Sequence, residues 1–248
     1  DGEISEDMLR HMILNSLRNY QKRYSSEYGE MVLCTDAANP WRRGYFPLYK
    51  ANRKKSRDKD DKDWGLIFDT LHKVKEEIRE NFPYRFMYVE SCEADDIIAI
   101  LTEKFAPYER VLIMSSDKDF KQLQKYPNVD QYSPILKKYL KEDNPNRYLR
   151  EHIIRGDKSD GIPNFLSDDE VFVENRRQKP VKKKQLLEWL DMSRDPEDFC
   201  DANMLKRWKR NESLVDLTKV PFSMKENILM KFEKEPEGNM KKVFNYFI

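Results

Sequence analysis

The sequence has little of what staples, ligates or crosses a membrane. Its 248 residues include three cysteines, and Cys34, Cys92 and Cys200 are spaced too widely for a zinc motif or a disulfide scaffold. That scarcity points to a reducing, intracellular setting. The three histidines, His11, His72 and His152, are isolated from one another, and none is assigned a catalytic role. No run approaches about eighteen uninterrupted apolar residues. With 39% hydrophobic and 37% charged residues, a membrane protein is excluded. The opening DGEISEDMLR is acidic and lacks an apolar centre, so it does not read as a secretory signal. Repeats are missing, and so is low complexity outside one charged stretch. Disorder throughout is excluded too, because 12% aromatics and several dense apolar runs can build a core. The length fits one larger domain with a smaller appendage.

Net charge is nearly nil as well, with 46 Lys+Arg against 45 Asp+Glu, but the signs are not evenly mixed. Arg176 to Lys184 reads RRQKPVKKK, and Lys206 to Arg210 reads KRWKR. Acids recur in tight groups at Glu93–Asp96, Asp117–Asp119 and Asp157–Asp160. Solvated surface helices are one explanation of such runs. The other is a protein that holds polyanion on one surface and metal on another.

The first half alternates strand and helix. Ser5 caps a predicted helix to about Tyr24, with Met8, Met12, Ile13 and Leu17 as its apolar stripe. Met31–Thr35 and Phe86–Val89 read as strands, the second followed by a helix capped at Ser91 that buries Ile97, Ile98, Leu101 and Phe105. Val111–Met114 is the most strand-like run of all. Strands spaced by helices imply an α/β fold with a largely parallel central sheet flanked by helices. In such sheets functional groups gather beyond the carboxyl ends of the strands. Asp36, Glu93 with Asp95, and Asp117 with Asp119 all fall there. Asp96 and Asp168 read better as caps and turn residues.

Carboxylates brought together at one crevice repel, which raises their pKa values unless a cation neutralises them. Oxygen ligands without histidine or cysteine suit Mg²⁺ or Mn²⁺ rather than zinc. Between Trp41 and Trp64 the chain is too polar for core. A long insertion after a strand-end carboxylate is a natural active-site cover, or else a surface loop without function.

The series VLCTD, WRR…YKANR, EADD, SSDKDF and GDKSDGIP resembles the structure-specific 5′ nucleases, or flap endonucleases, and within them the bacteriophage ribonuclease H branch. The resemblance is carried from the first helix to about Pro163 and more weakly beyond. It implies a PIN-like 5′-nuclease core over 1–143, with a charged arch at about 52–64. A smaller all-helical DNA-binding domain, with a divergent helix-turn-helix-like motif, would occupy 144–248. By resemblance, Asp36, Glu93, Asp95 and Asp117 are ligands of a first metal, and Asp119, Asp157 and Asp160 form the second-metal group. Arg42 and Lys50 match the catalytic basic residues at the base of the arch. Arg43, Arg53, Lys54 and Lys55, with Arg176, Arg177, Lys182, Lys183 and Lys184, are the expected nucleic-acid contacts. Two Mg²⁺ ions are implied, with Mn²⁺ able to substitute. Gly161 stands where many relatives have asparagine, and NFLSDDEVF replaces their glycine-rich hairpin, which puts the family's K⁺ site in doubt. Relatives also open with a strand ending in a metal-binding aspartate. None precedes Ser5, so that strand is expected to be missing from the chain.

The expected activity is removal of RNA primers from RNA–DNA hybrids and of 5′ ends from branched or flapped duplex DNA during replication. Implied partners are those nucleic acids, a single-stranded-DNA-binding protein and a sliding clamp, met by a monomer away from membranes, in a host cytoplasm if the chain is phage-encoded. Two other readings stay open. One is a DNA-binding member of the fold impaired in catalysis. The other is a phosphatase-type domain, since Asp-x-Asp after an apolar strand also serves there, although it would have no use for Arg176–Lys184.

Overall fold

The computed structural model describes residues 5–53 and 63–235. Helix α1 (Glu6–Tyr28) starts where Ser5 Oγ accepts the Met8 N–H, and runs one turn further than its stripe predicts. Ile13, Leu14 and Leu17 pack on Val74, Ile78 and Phe86, whereas Met8 and Met12 face solvent. The expected stripe was therefore right at its C-terminal half only. Gly29 ends the helix at φ 75°, where a side chain would be strained.

Strand β1 (Val32–Thr35) leads through the short α2 (Trp41–Tyr45) and then α3 (Trp64–Asn81) to β2 (Arg85–Tyr88), which pairs with β1 in parallel, Cys34 beside Met87. Helix α4 (Ala94–Phe105) follows, then β3 (Val111–Met114) and a 3-10 turn over Lys118–Lys125. Strand β4 (Val129–Ser133) lies parallel to β3, and β5 (Lys138–Leu140) returns antiparallel to β4. The β4–β5 hairpin was not anticipated, because Gln131 and Lys138 interrupt any apolar run there.

Among the described residues the strands form two sets, β1–β2 and β3–β4–β5. Helix α4 joins them. Its Ile97, Ile100 and Leu101 pack with Met87 and Val89, while its Ala99 packs with Ile113, Phe120 and Leu123. A helix apolar on both flanks is a buried helix, and ADDIIAIL is such a sequence. Ser91 does not cap it. Glu93 and Asp96 form a reciprocal capping box instead, in which the Glu93 N–H donates to Asp96 Oδ2 at 2.9 Å.

The second half supplies α5 (Pro145–Arg155), α6 (Lys183–Trp189), α7 (Ala202–Val215) and α8 (Phe222–Lys234). Trp189 and Trp208 pack around Phe165 in their own core rather than presenting to solvent. Helix α8 returns to the first half, where Ile228 packs with Ile97 and Ile100 of α4. The amphipathic segment Met240–Phe247, whose sequence reads as a helix, lies outside the described residues, as do Lys54 and Lys55 and most of the arch.

Candidate metal centre

The carboxylates converge where β1, β2 and β3 end. Asp36 follows β1 directly, and its Oδ1 accepts the Ala94 N–H at 2.8 Å, which ties the end of β1 to the start of α4. Asp95 is in the first turn of α4 and Asp117 closes the Ser-Ser-Asp turn after β3. That turn is held from β4, where the buried Gln131 donates to the carbonyls of Ser115 and Asp117 at 3.0 and 2.7 Å. Asp117 Oδ1 in turn accepts the Asp119 N–H at 2.9 Å.

Electrostatics divides the acids into two groups that share Asp117. Burial and the charge of Asp117 push the Asp95 carboxyl up to about 7. Burial pushes Asp119 up to about 6, with Asp117 and Asp157 adding repulsion and His152 opposing it. Asp157 moves the other way. Burial would raise it, but contacts from His152, Lys118 and Ser159 outweigh that and hold it well below the usual carboxylate range. Lys118 Nζ is 2.6 Å from Asp157 Oδ2, and Ser159 donates to Oδ1 through N–H and Oγ at 2.7 and 2.5 Å.

Glu93 is engaged differently. Only 4% exposed, it meets Arg42 at 2.9 Å and Lys50 at 2.5 Å and accepts the Tyr49 hydroxyl at 3.0 Å. Burial would raise its pKa, yet Lys50 and Arg42 prevail and lower it. Arg42 is itself 2% exposed and enclosed: Nη2 is 2.8 Å from Asp96 Oδ1 and Nε donates to the Leu214 carbonyl at 3.0 Å. So placed, it clamps α2 to α4 and α7, with no donor turned to solvent. Asp96 is the buried cap that its spacing implied, also accepting Trp41 Nε1–H at 3.1 Å. Asp168 pairs with Arg207, likewise a structural acid.

Asp160 does not join Asp119 and Asp157. Its carboxylate accepts the Tyr49 hydroxyl at 3.2 Å and meets Arg53 at 2.5 Å, with Lys50 Nζ at 3.8 Å. Lys50 has a left-handed φ of 57°, unusual outside glycine, and its N–H donates to the Asp160 carbonyl at 2.7 Å. Arg43 is exposed, and Arg53 is half-exposed beside Asp160. Arg176, Arg177 and Lys182–Lys184 are exposed as a group, Arg176 pairing with Glu174.

What the sequence missed is instructive. His152, isolated in sequence, is 7% exposed and lies between Asp119 and Asp157, at 3.4 and 3.3 Å. Its spacing of five from Asp157, across the end of α5, was the one available signal. Tyr49 and Gln131 had none. Asp119, His152 and Asp157 together offer ligand atoms within 4.8 Å of one another, which fits a cation.

Comparison with known proteins finds relatives in sequence and in fold. Residues 7–153 match the 5′-3′ exonuclease N-terminal resolvase-like domain, and residues 136–248 match the T4 RNase H C-terminal domain. Ribonuclease H of Enterobacteria phage T4 is 34% identical over 256 aligned positions, spanning 99% of this chain and 84% of that protein. Among solved structures, the T5 D15 protein co-crystallised with metal ions superposes with a TM-score of 0.65 at 16% identity, over 90% of each chain. The T5 D15 flap endonuclease, in a pseudo-enzyme-product complex with DNA and metal ions, gives 0.62 at 17% identity over 91% of each chain.

Proposed function

The chain belongs to the 5′-3′ exonuclease family, and from that membership and its strand-end carboxylates we propose that it is a divalent-metal-dependent 5′ nuclease. It hydrolyses phosphodiester bonds as an exonuclease and flap endonuclease, removing RNA primers from RNA–DNA hybrids and 5′ ends from branched duplex DNA. The observation that carries this reading is the pairing of two acid groups through Asp117 beside Lys50 and Arg53. A phosphatase-type site would need neither two groups nor the exposed basic run at Arg176–Lys184. Contacts with a single-stranded-DNA-binding protein and a sliding clamp belong to the same reading, supported by family likeness alone.

We read two cation positions from these residues. Asp36, Asp95 and Asp117 are an all-oxygen set for Mg²⁺, with Glu93 held back by Arg42 and Lys50 to act through water. Asp119 and Asp157 are the carboxylates of the second position. Divalent ions there supply an acidified water and positive charge toward phosphoryl oxygens. The protein's own contribution is to orient those acids and to bring cationic side chains to the phosphate. Lys50 is that side chain, steered by Glu93, Tyr49 and its strained backbone. Arg53 and Asp160 brace it. Arg176, Arg177 and Lys182–Lys184 hold duplex backbone at a distance from the chemistry.

Ion uptake should release protons, with a defined pH dependence. Raised carboxyl pKa values of about 7 and about 6 mean that Asp95 is mostly neutral, and Asp119 partly so, at pH 6. A bound cation favours the ionised forms, so it drives those protons off. Mg²⁺ titrated at pH 6 should release about one proton or more, and at pH 8 almost none, so apparent affinity rises with pH. Calorimetry in buffers of different ionisation enthalpy reads this directly, and equal release at both pH values would refute the assignment.

The function is tested with an end-labelled 5′-flap substrate and Mg²⁺, where the chain should release short oligonucleotides. Lys50→Ala should lower the single-turnover rate about a hundredfold at saturating enzyme. Replacing Lys182, Lys183 and Lys184 by alanine should leave that rate unchanged. It should weaken binding instead, flattening the salt dependence by about 0.9 of a log–log unit per lost phosphate contact. Loss of affinity alone in both variants would make Lys50 a docking residue.

A further inference from the structure

The second acid group contains a nitrogen. His152 is buried against the Tyr148 ring, whose centroid lies 6.0 Å away. Its Nε2 faces Asp157 Oδ2 at 3.3 Å, the arrangement in which an N–H donates to a carboxylate and fixes the ring. Nδ1, which carries the lone pair in that tautomer, lies 3.4 Å from Asp119 Oδ1. Neither Nδ1 nor that Oδ1 has a hydrogen-bond partner, and both atoms are fully buried. Two acceptors facing each other without a proton between them repel. Adjacent ligands of an octahedral ion, each about 2.1 Å from it, lie about 3.0 Å apart, so a small closing movement across the 3.4 Å gap would seat both. The gap is therefore close to the bite of a metal chelate, with Asp157 holding the ring from its Nε2 edge.

Resting on the nuclease reading above, we propose that His152 Nδ1 is a direct ligand of the second cation, and that it makes this position selective for Mn²⁺ over Mg²⁺. Imidazole nitrogen suits first-row transition ions, while Mg²⁺ takes oxygen and dehydrates reluctantly. The two positions then differ in kind. Asp36, Asp95 and Asp117 present oxygen alone, whereas Asp119 and His152 present oxygen and nitrogen, with Asp157 fixing the ring. Lys118, whose ammonium meets Asp157 and whose side chain is 54% exposed, is free to swing outward when an ion enters. His152 was set aside by its isolation in the sequence; the end of α5 places it in the site.

The test uses the full chain with Mn²⁺ alone, at two equivalents. Electron spin-echo spectra should show modulation from a directly coordinated imidazole nitrogen, changing pattern when histidine is labelled with ¹⁵N. In His152→Gln the modulation should vanish, Mn²⁺ affinity at that position should fall by about tenfold or more, and Mg²⁺ affinity should change far less. The wild-type spectrum decides the matter even if the variant folds poorly. Bound Mn²⁺ without nitrogen modulation, or modulation that survives in His152→Gln, overturns the ligand role and leaves the nuclease reading intact. If neither Mn²⁺ nor Mg²⁺ binds at millimolar concentration, the metal-dependent nuclease reading falls and this inference with it.

Discussion

Asp117→Asn should abolish cleavage while leaving the fold and DNA binding in place. Asp117 repels both Asp95 and Asp119, so it is the acid common to the two groups. Asparagine keeps an Oδ1 to accept the Asp119 N–H, so the turn after β3 persists. What is lost is one negative charge from the acid that the two groups share. Metal stabilisation of a transferring phosphoryl group amounts to several kcal/mol, so the rate should fall by about a thousandfold or more. Affinity for duplex should not fall, since removing an acid cannot weaken attraction to a polyanion. Single-turnover rates and an equilibrium binding assay on the same preparation separate the two. Near-wild-type turnover in Mg²⁺ would remove Asp117 from the site.

Arg42→Met should be the most destabilising single change in the site. Arg42 meets Glu93 and Asp96 within a region where all three are nearly inaccessible. Glu93 would keep Lys50 and Tyr49. Asp96, wholly buried, would keep the Trp41 and Glu93 donors but lose its ion pair with Arg42. Breaking a buried pair by removing one partner costs about 3–5 kcal/mol. A denaturant midpoint measured with and without the change reads this loss, and it should depend little on salt because the pair is shielded from counterions. Arg42→Met combined with Asp96→Asn should recover part of it, since the stranded charge is gone. A loss under about 1 kcal/mol would mean that the clamp is not structural, contrary to its burial. The resemblance offered Arg42 as a residue that approaches the phosphate; its partners make it a positioning residue that acts through Glu93 and α4.

Much of the fold was legible because its signals are local. Val111–Met114 followed by SSDKDF, and the apolar ADDIIAIL, carry strand, turn and buried helix in consecutive residues, although the cap is Glu93 and not the expected Ser91. The register of β4 against β3 was not legible, because a strand reading VDQYS has no apolar run and depends on its neighbour for its hydrogen bonds. Yet Gln131 in that strand holds the turn that presents Asp117.

For the site, the sequence by itself determined the acids: Asp36, Asp95, Asp117 and Asp119 each follow a strand, and strand-end acids converge once the strands run parallel. Only the tertiary structure decided their company. Pairing across 111 positions put Tyr49 on Asp160, and the clamp of Arg42 reached 172 positions to Leu214. The close of α5 turned a solitary histidine toward two aspartates. A side chain's partners at such separations are fixed by packing between elements, and packing leaves no periodic trace in the residues themselves. Hence the sequence specified which groups could bind a cation, and the fold selected which of them lie side by side.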